Sequence, residues 1–86
     1  MDWELISFVQ GRTRRMCLEE LNNGQKTPQM IAKSIEEHLS HVSRALRELS
    51  EKKLAICLTP DQNKNRFYEI TSLGTEVIKI LEEINE

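Results

Sequence analysis

The sequence predicts a small α+β domain, mostly helical, in which helices precede a short two-stranded hairpin and one further helix closes the chain. Two observations carry this. Apolar residues recur with helical spacing between residues 13 and 52 and again after residue 72. Between those stretches lie two short runs rich in apolar, branched and aromatic residues, Leu54–Leu58 and Arg66–Ile70, joined by the polar stretch TPDQNKN. With 86 residues, of which 38% are hydrophobic, the chain holds one core and not two, so 1–86 reads as a single domain. A domain this small buries only about 60–65% of its unfolded surface, which leaves room for a partner to add stability.

The elements follow in order. Residues 1–11 form an N-terminal arm, helical or extended, in which Trp3, Ile6, Phe8 and Val9 are followed by Gly11. From Thr13 to Leu21, Arg14, Cys17, Leu18 and Leu21 fall at i, i+3, i+4 and i+7, and Asn22-Asn23-Gly24 supplies a stop. Thr27-Pro28 has the form of an N-cap followed by proline at the first helical position. The helix it opens turns Ile31, Ala32 and Ile35 inward and Gln29 and Lys33 outward. Leu39, Val42, Leu46 and Leu49 give the next helix its stripe as far as Lys52, with Ser40, Arg44, Arg47 and Glu51 opposite. Strands at 54–58 and 66–70 make a hairpin over 54–70. Thr71 or Ser72 caps a final helix over 72–85, striped by Val77, Ile78, Leu81 and Ile84.

Composition excludes several classes. No apolar run approaches the ~18–20 residues of a membrane span, and MDWELISFVQ lacks the basic start and long apolar core of a signal peptide. A cytoplasmic protein that does not engage membranes is expected. Cys17 and Cys57 sit in apolar stretches and read as reduced, buried thiols. With His38 and His41 they are the metal-ligand candidates, but none stands in a chelating pair spacing, so neither metal nor other cofactor is expected. No Gly-rich phosphate loop or GxSxG elbow is present, which argues against an enzyme.

Net charge is only −2, yet it is unevenly spread. Between Ser40 and Lys53, four basic residues oppose Glu48 and Glu51, a net +2; from Glu69 to Glu86, five glutamates oppose Lys79, a net −4. The pI near 5.7 therefore reflects an acidic tail rather than an acidic middle.

The stretch TPQMIAKSIEEHLSHVSRALRELSEKKLAICLTPDQNKNRFYEITSLG resembles the core of winged helix-turn-helix regulators of the MarR/ArsR-like group. The resemblance spans about Thr13 to Ile80. It matches TPQMIA to the first helix of the motif, SHVSRALREL to the recognition helix, and LAICL and RFYEITSLG to the wing and the start of the last helix, with the motif at 27–52. Where that group usually has glycine in the turn, this chain has Glu36, followed by Glu37.

The resemblance implies sequence-specific binding of double-stranded DNA by a transcriptional regulator. The recognition helix would enter the major groove, and the wing would lie on the backbone or in the minor groove. Thr27, Gln29 and Lys33 would meet phosphate, Ser40, His41, Ser43, Arg44 and Arg47 would face the groove, and Lys64, Asn65 and Arg66 would serve the wing. An alternative employment for Arg44 and Arg47 is pairing with Glu48 and Glu51 four residues on. The group also implies a homodimer, for which Trp3, Ile6, Phe8, Val77, Ile78, Leu81 and Ile84 are the candidate interface. No polar constellation for a small-molecule effector is legible. The rival from another class is a winged-helix module that binds protein instead of DNA.

Overall fold

The structure, a computed structural model, describes residues 3–62 and 66–84. Along the chain run α1 (Trp3–Val9), α2 (Arg12–Leu21), α3 (Pro28–Ile35), α4 (Leu39–Glu51), β1 (Ala55–Cys57), β2 (Tyr68–Ile70) and α5 (Ser72–Ile84). The N-terminal arm is thus a two-turn helix. Its buried Ile6 and Val9 lie against the rest of the core, with α5 and α2 as the packing partners.

Helix α3 starts where its sequence calls for it. Thr27 Oγ1 accepts a hydrogen bond from Met30 N at 3.2 Å, and Pro28 takes the first helical position, where a missing N–H costs nothing. It ends at Glu36, which adopts left-handed backbone (φ 55°, ψ 48°), while Glu37 N donates to Ala32 O at 3.0 Å. Helix α4 ends in the same manner. Lys53 has φ 62°, Lys53 N donates to Ser50 O at 3.0 Å, and Leu54 N donates to Leu49 O at 2.9 Å, the paired bonds of a Schellman motif. Leu54 therefore belongs to the helix end, and the first strand begins one residue later than expected.

The hairpin is antiparallel, with Ala55 opposite Ile70 and Cys57 opposite Tyr68. Pairing continues one step beyond the strands, where Leu58 N donates to Phe67 O at 2.8 Å. The other edge of β2 is also used, because Lys26 and Tyr68 exchange two backbone hydrogen bonds at 3.1 and 2.9 Å. That bridge ties the chain just ahead of α3 to the wing.

The core draws on every helix: Ile6, Leu18, Leu21, Ile31, Leu46, Leu49, Leu54 and Leu81 are all under 2% exposed. Two expectations change here. Leu39 is 44% exposed, and Ala45 takes its place on the buried stripe of α4. Of the residues assigned to a subunit interface, Ile6, Val77, Ile78 and Leu81 are buried within the protomer, because α1 lies on α5 and consumes that apolar surface. Trp3 and Ile84 remain exposed. Phe8 is half-buried, its ring flanked by the cations of Arg14 (4.2 Å) and Lys52 (5.7 Å).

Candidate nucleic-acid interface

Burial of Val42, Ala45, Leu46 and Leu49 fixes the rotation of α4, and the helical period then places Ser40, His41, Ser43, Arg44 and Arg47 outward. All five are exposed. Thirteen residues make a helix about 20 Å long, and the major groove admits such an element. Arg44 and Arg47 form no ion pair among the described residues.

Glu48, the alternative partner for Arg44, is engaged elsewhere. Arg14 donates to it from Nε and Nη2 at 3.3 and 3.2 Å, and from Nη1 to the Phe8 carbonyl at 3.2 Å. The Arg14 hydrogen bonds hold the Glu48 carboxyl below the usual carboxylate range, against the opposing effect of burial, with the charges of Arg14, Arg44 and Arg47 adding to the lowering.

The acids of the turn part company. Glu36 points to solvent. Glu37 is only 17% exposed and is turned inward to Arg12 Nη1 (3.2 Å), His41 Nδ1 (3.1 Å) and the His38 N–H (3.1 Å). The His41 contact, then the His38 amide, lower its carboxyl below the ordinary value. Histidines 38 and 41 themselves meet edge to face at 5.5 Å.

On α3, Gln29 and Lys33 are exposed and one turn apart. Thr27 is buried, and its hydroxyl is the cap of α3 rather than an outward donor. In the wing, half-buried Arg66 donates from Nε to the Gln62 carbonyl, and Phe67 N donates to Thr59 Oγ1 at 3.0 Å. Lys64 and Asn65 lie outside the described residues.

Sequence reasoning missed a cleft of about 320 Å³ between the start of α2 (residues 11–14) and His41, Arg44, Ala45 and Glu48 of α4. Its signal was the run Arg12, Arg14, Arg15, but its other wall lies about thirty residues away in sequence. Among the described residues, no group of three or more His, Cys, Asp or Glu side chains is placed to hold a metal ion. Burial, then the Glu20 and Glu37 charges, push the Cys17 thiol up to about 12. None of the described helices is long and apolar enough to cross a membrane.

No protein-family model matches the chain, and no curated protein matches it. Solved structures do. The reduced form of the transcriptional regulator YodB from B. subtilis superposes with a TM-score of 0.81 at 18% identity, over 95% of this chain and 82% of that one. A MarR family transcription regulator gives 0.76 at 21% identity, over 85% of this chain but 50% of that one, so the chain spans about half the length of that regulator. The Zalpha domain of PKZ from Carassius auratus, in complex with Z-DNA, gives 0.59 at 24% identity, over 70% of this chain and 94% of that one. The backbone shared with these proteins is the winged helix, and that is the fold of this chain.

Proposed function

We propose that the chain binds double-stranded DNA sequence-specifically as a transcriptional regulator, with α4 in the major groove and the wing on the backbone or in the minor groove. One observation carries the reading: the outward face of α4 presents Arg44 and Arg47 with no ion pair among the described residues, while Glu48, four residues on from Arg44, is drawn away by Arg14. Arginine donates bidentately to guanine, worth roughly 1–3 kcal/mol of discrimination per good pair. In this reading Gln29 and Lys33 on α3 and Arg66, Lys64 and Asn65 of the wing serve as backbone contacts. Two of the neighbours in fold are described as transcription regulators, and a third is a Zalpha domain in complex with Z-DNA. A homodimer built on the exposed Trp3 and Ile84 would set two recognition helices about 34 Å apart on successive turns of DNA.

The test is fluorescence anisotropy with a DNA duplex across a salt series, followed by operator selection. Two protomers neutralising about 6–8 phosphates give a slope of log K against log salt near −5 to −7. Arg44→Ala/Arg47→Ala should weaken binding and flatten that slope. No binding at low salt overturns the reading. It would favour the protein-binding alternative, for which the exposed apolar residues Ile56, Leu58 and Phe67 on the wing are the specific support.

A further inference from the structure

The cleft between α2 and α4 shares His41 and Arg44 with the outward face of α4 and adds residues 11–14 to it. Three arginines (Arg12, Arg14, Arg44) line it against one glutamate (Glu48), a formal +2; Glu37, bonded to Arg12 from outside the lining, brings this to +1. Its 320 Å³ equals roughly ten liquid-water volumes at about 30 Å³ each. That is ample for a phosphate group and its two ester oxygens.

The cations differ in how far they are committed. Arg14 is spent on Glu48, Phe8 O and the Phe8 ring. Arg44 has no ion pair among the described residues. Arg12 makes a single 3.2 Å contact to Glu37, its side chain is 67% exposed, and a guanidinium has five donors, so it has several to spare.

We infer that this cleft seats a phosphate diester of the DNA backbone, held by Arg12 from α2 and by His41 from α4, while Arg44 at the same wall stays with the groove-facing side of α4. The inference rests on the regulator reading and extends its footprint to α2. A helix lying in the major groove is bordered by both sugar-phosphate strands. His41 and Arg44 line the cleft and also belong to the exposed face of α4, so the cleft opens beside the groove-facing surface. A diester arriving with the duplex needs such an open seat. Oxyanion chemistry is common to a backbone diester and free phosphate, and the experiment separates them.

Gly11 supplies a variant that leaves the fold intact. It is the N-cap of α2 with φ −59° and ψ 136°, allowed for any residue, and a Cβ there meets only Arg14 Nη1 at 3.9 Å. Gly11→Ser and Gly11→Asp both cap the helix, but only Gly11→Asp adds negative charge at the cleft. The salt series is run on wild type, Gly11→Ser, Gly11→Asp and Arg12→Gln, with thermal unfolding of each. Inorganic phosphate is titrated separately while the backbone amides of residues 11–14 are followed by NMR.

The expected result is a salt slope shallower by about 0.9 per lost phosphate contact in Arg12→Gln relative to wild type and in Gly11→Asp relative to the uncharged Gly11→Ser. Gly11→Asp should unfold no earlier than wild type. If wild type binds DNA and both charge variants keep its slope, the cleft assignment fails and the regulator reading stands. If wild type binds no DNA while phosphate shifts the amides of residues 11–14, both fail, and the seat belongs to a free oxyanion.

Discussion

Arg14 of α2 and Glu48 of α4, 34 residues apart, are joined by two hydrogen bonds, from Nε at 3.3 Å and Nη2 at 3.2 Å. The same guanidinium reaches the Phe8 carbonyl and stacks on the Phe8 ring. One side chain thus ties the end of α1 and the first turn of α2 to α4. The pair is about one-third exposed, so solvent screens it, and a double-mutant cycle of Arg14→Ala and Glu48→Ala should give a coupling of about 0.5–1 kcal/mol that shrinks in high salt. Arg14→Ala alone should cost more, roughly 1–2 kcal/mol, because the Phe8 contacts go with it. Urea denaturation measures both, and a coupling of zero would remove the pair from the account.

Glu36 has left-handed backbone at φ 55°, where a Cβ is unfavourable by roughly 1–2 kcal/mol. Glu36→Gly relieves that strain and adds some unfolded-state entropy, for a net gain of about 0.5–1 kcal/mol. The midpoint of chemical denaturation should rise. A fall would mean that Glu36 makes a stabilising contact its exposure does not suggest. Because the substitution also removes a charge from the turn, DNA affinity should hold or increase.

These features mark the limit of what the residues disclosed on their own. Helices α3, α4 and α5 were legible because their apolar stripes are contiguous and Thr27-Pro28 is a strong start signal. The exposed face of α4 followed from the same stripe. The Lys26–Tyr68 bridge was not legible, since a single paired residue has no period. Nor was the left-handed turn at Glu36, where the residue type argues against the conformation adopted. The partner of Glu48 was not legible, because Arg44 is near in sequence whereas Arg14 is near in space. Ile6, Val77, Ile78 and Leu81 looked like surplus apolar surface only while the N-terminal arm lacked a place to pack; once α1 lies on α5, they are the core.

Gly74 is the point of closest approach between α5 and the wing. A Cβ there would overlap the Leu54 carbonyl oxygen and come 2.7 Å from Ile70 Cγ1. The carbonyl is backbone and follows directly on the Schellman motif, so it has little freedom to yield. Gly74→Ala should destabilise by about 1–3 kcal/mol despite alanine's better helix propensity. An unchanged thermal midpoint would show that α5 shifts at no cost.

The two thiols should separate cleanly by reactivity. Cys17 is wholly buried, with its thiol pushed up to about 12, whereas Cys57 is half-buried in β1. At pH 8 in native buffer, a disulfide reagent should titrate a single thiol, and Cys57→Ser should abolish that signal. Both thiols should react in denaturant. Fast reaction of Cys17 in the native protein would mean that α2 opens readily from the core.

Acid should loosen the chain at defined places. The carboxyls of Glu20, Glu37 and Glu48 are all lowered, chiefly by hydrogen bonds from Lys26, His41 and Arg14 respectively. A lowered carboxyl binds fewer protons folded than unfolded, so stability rises with pH across that window. The contribution is complete above the unfolded value of about 4.3 and is lost as pH falls through the folded values. Glu20 and Lys26 form the closest of these pairs, at 2.8 Å with both side chains mostly buried, and Lys26 carries the backbone bridge to Tyr68. Glu20→Gln should therefore flatten the fall in unfolding midpoint between about pH 4.5 and 2. It should also speed amide exchange at Lys26 and Tyr68 at neutral pH, where the wild-type pair is intact. Equal acid sensitivity of variant and wild type would assign the acid loss to Glu37 and Glu48 instead.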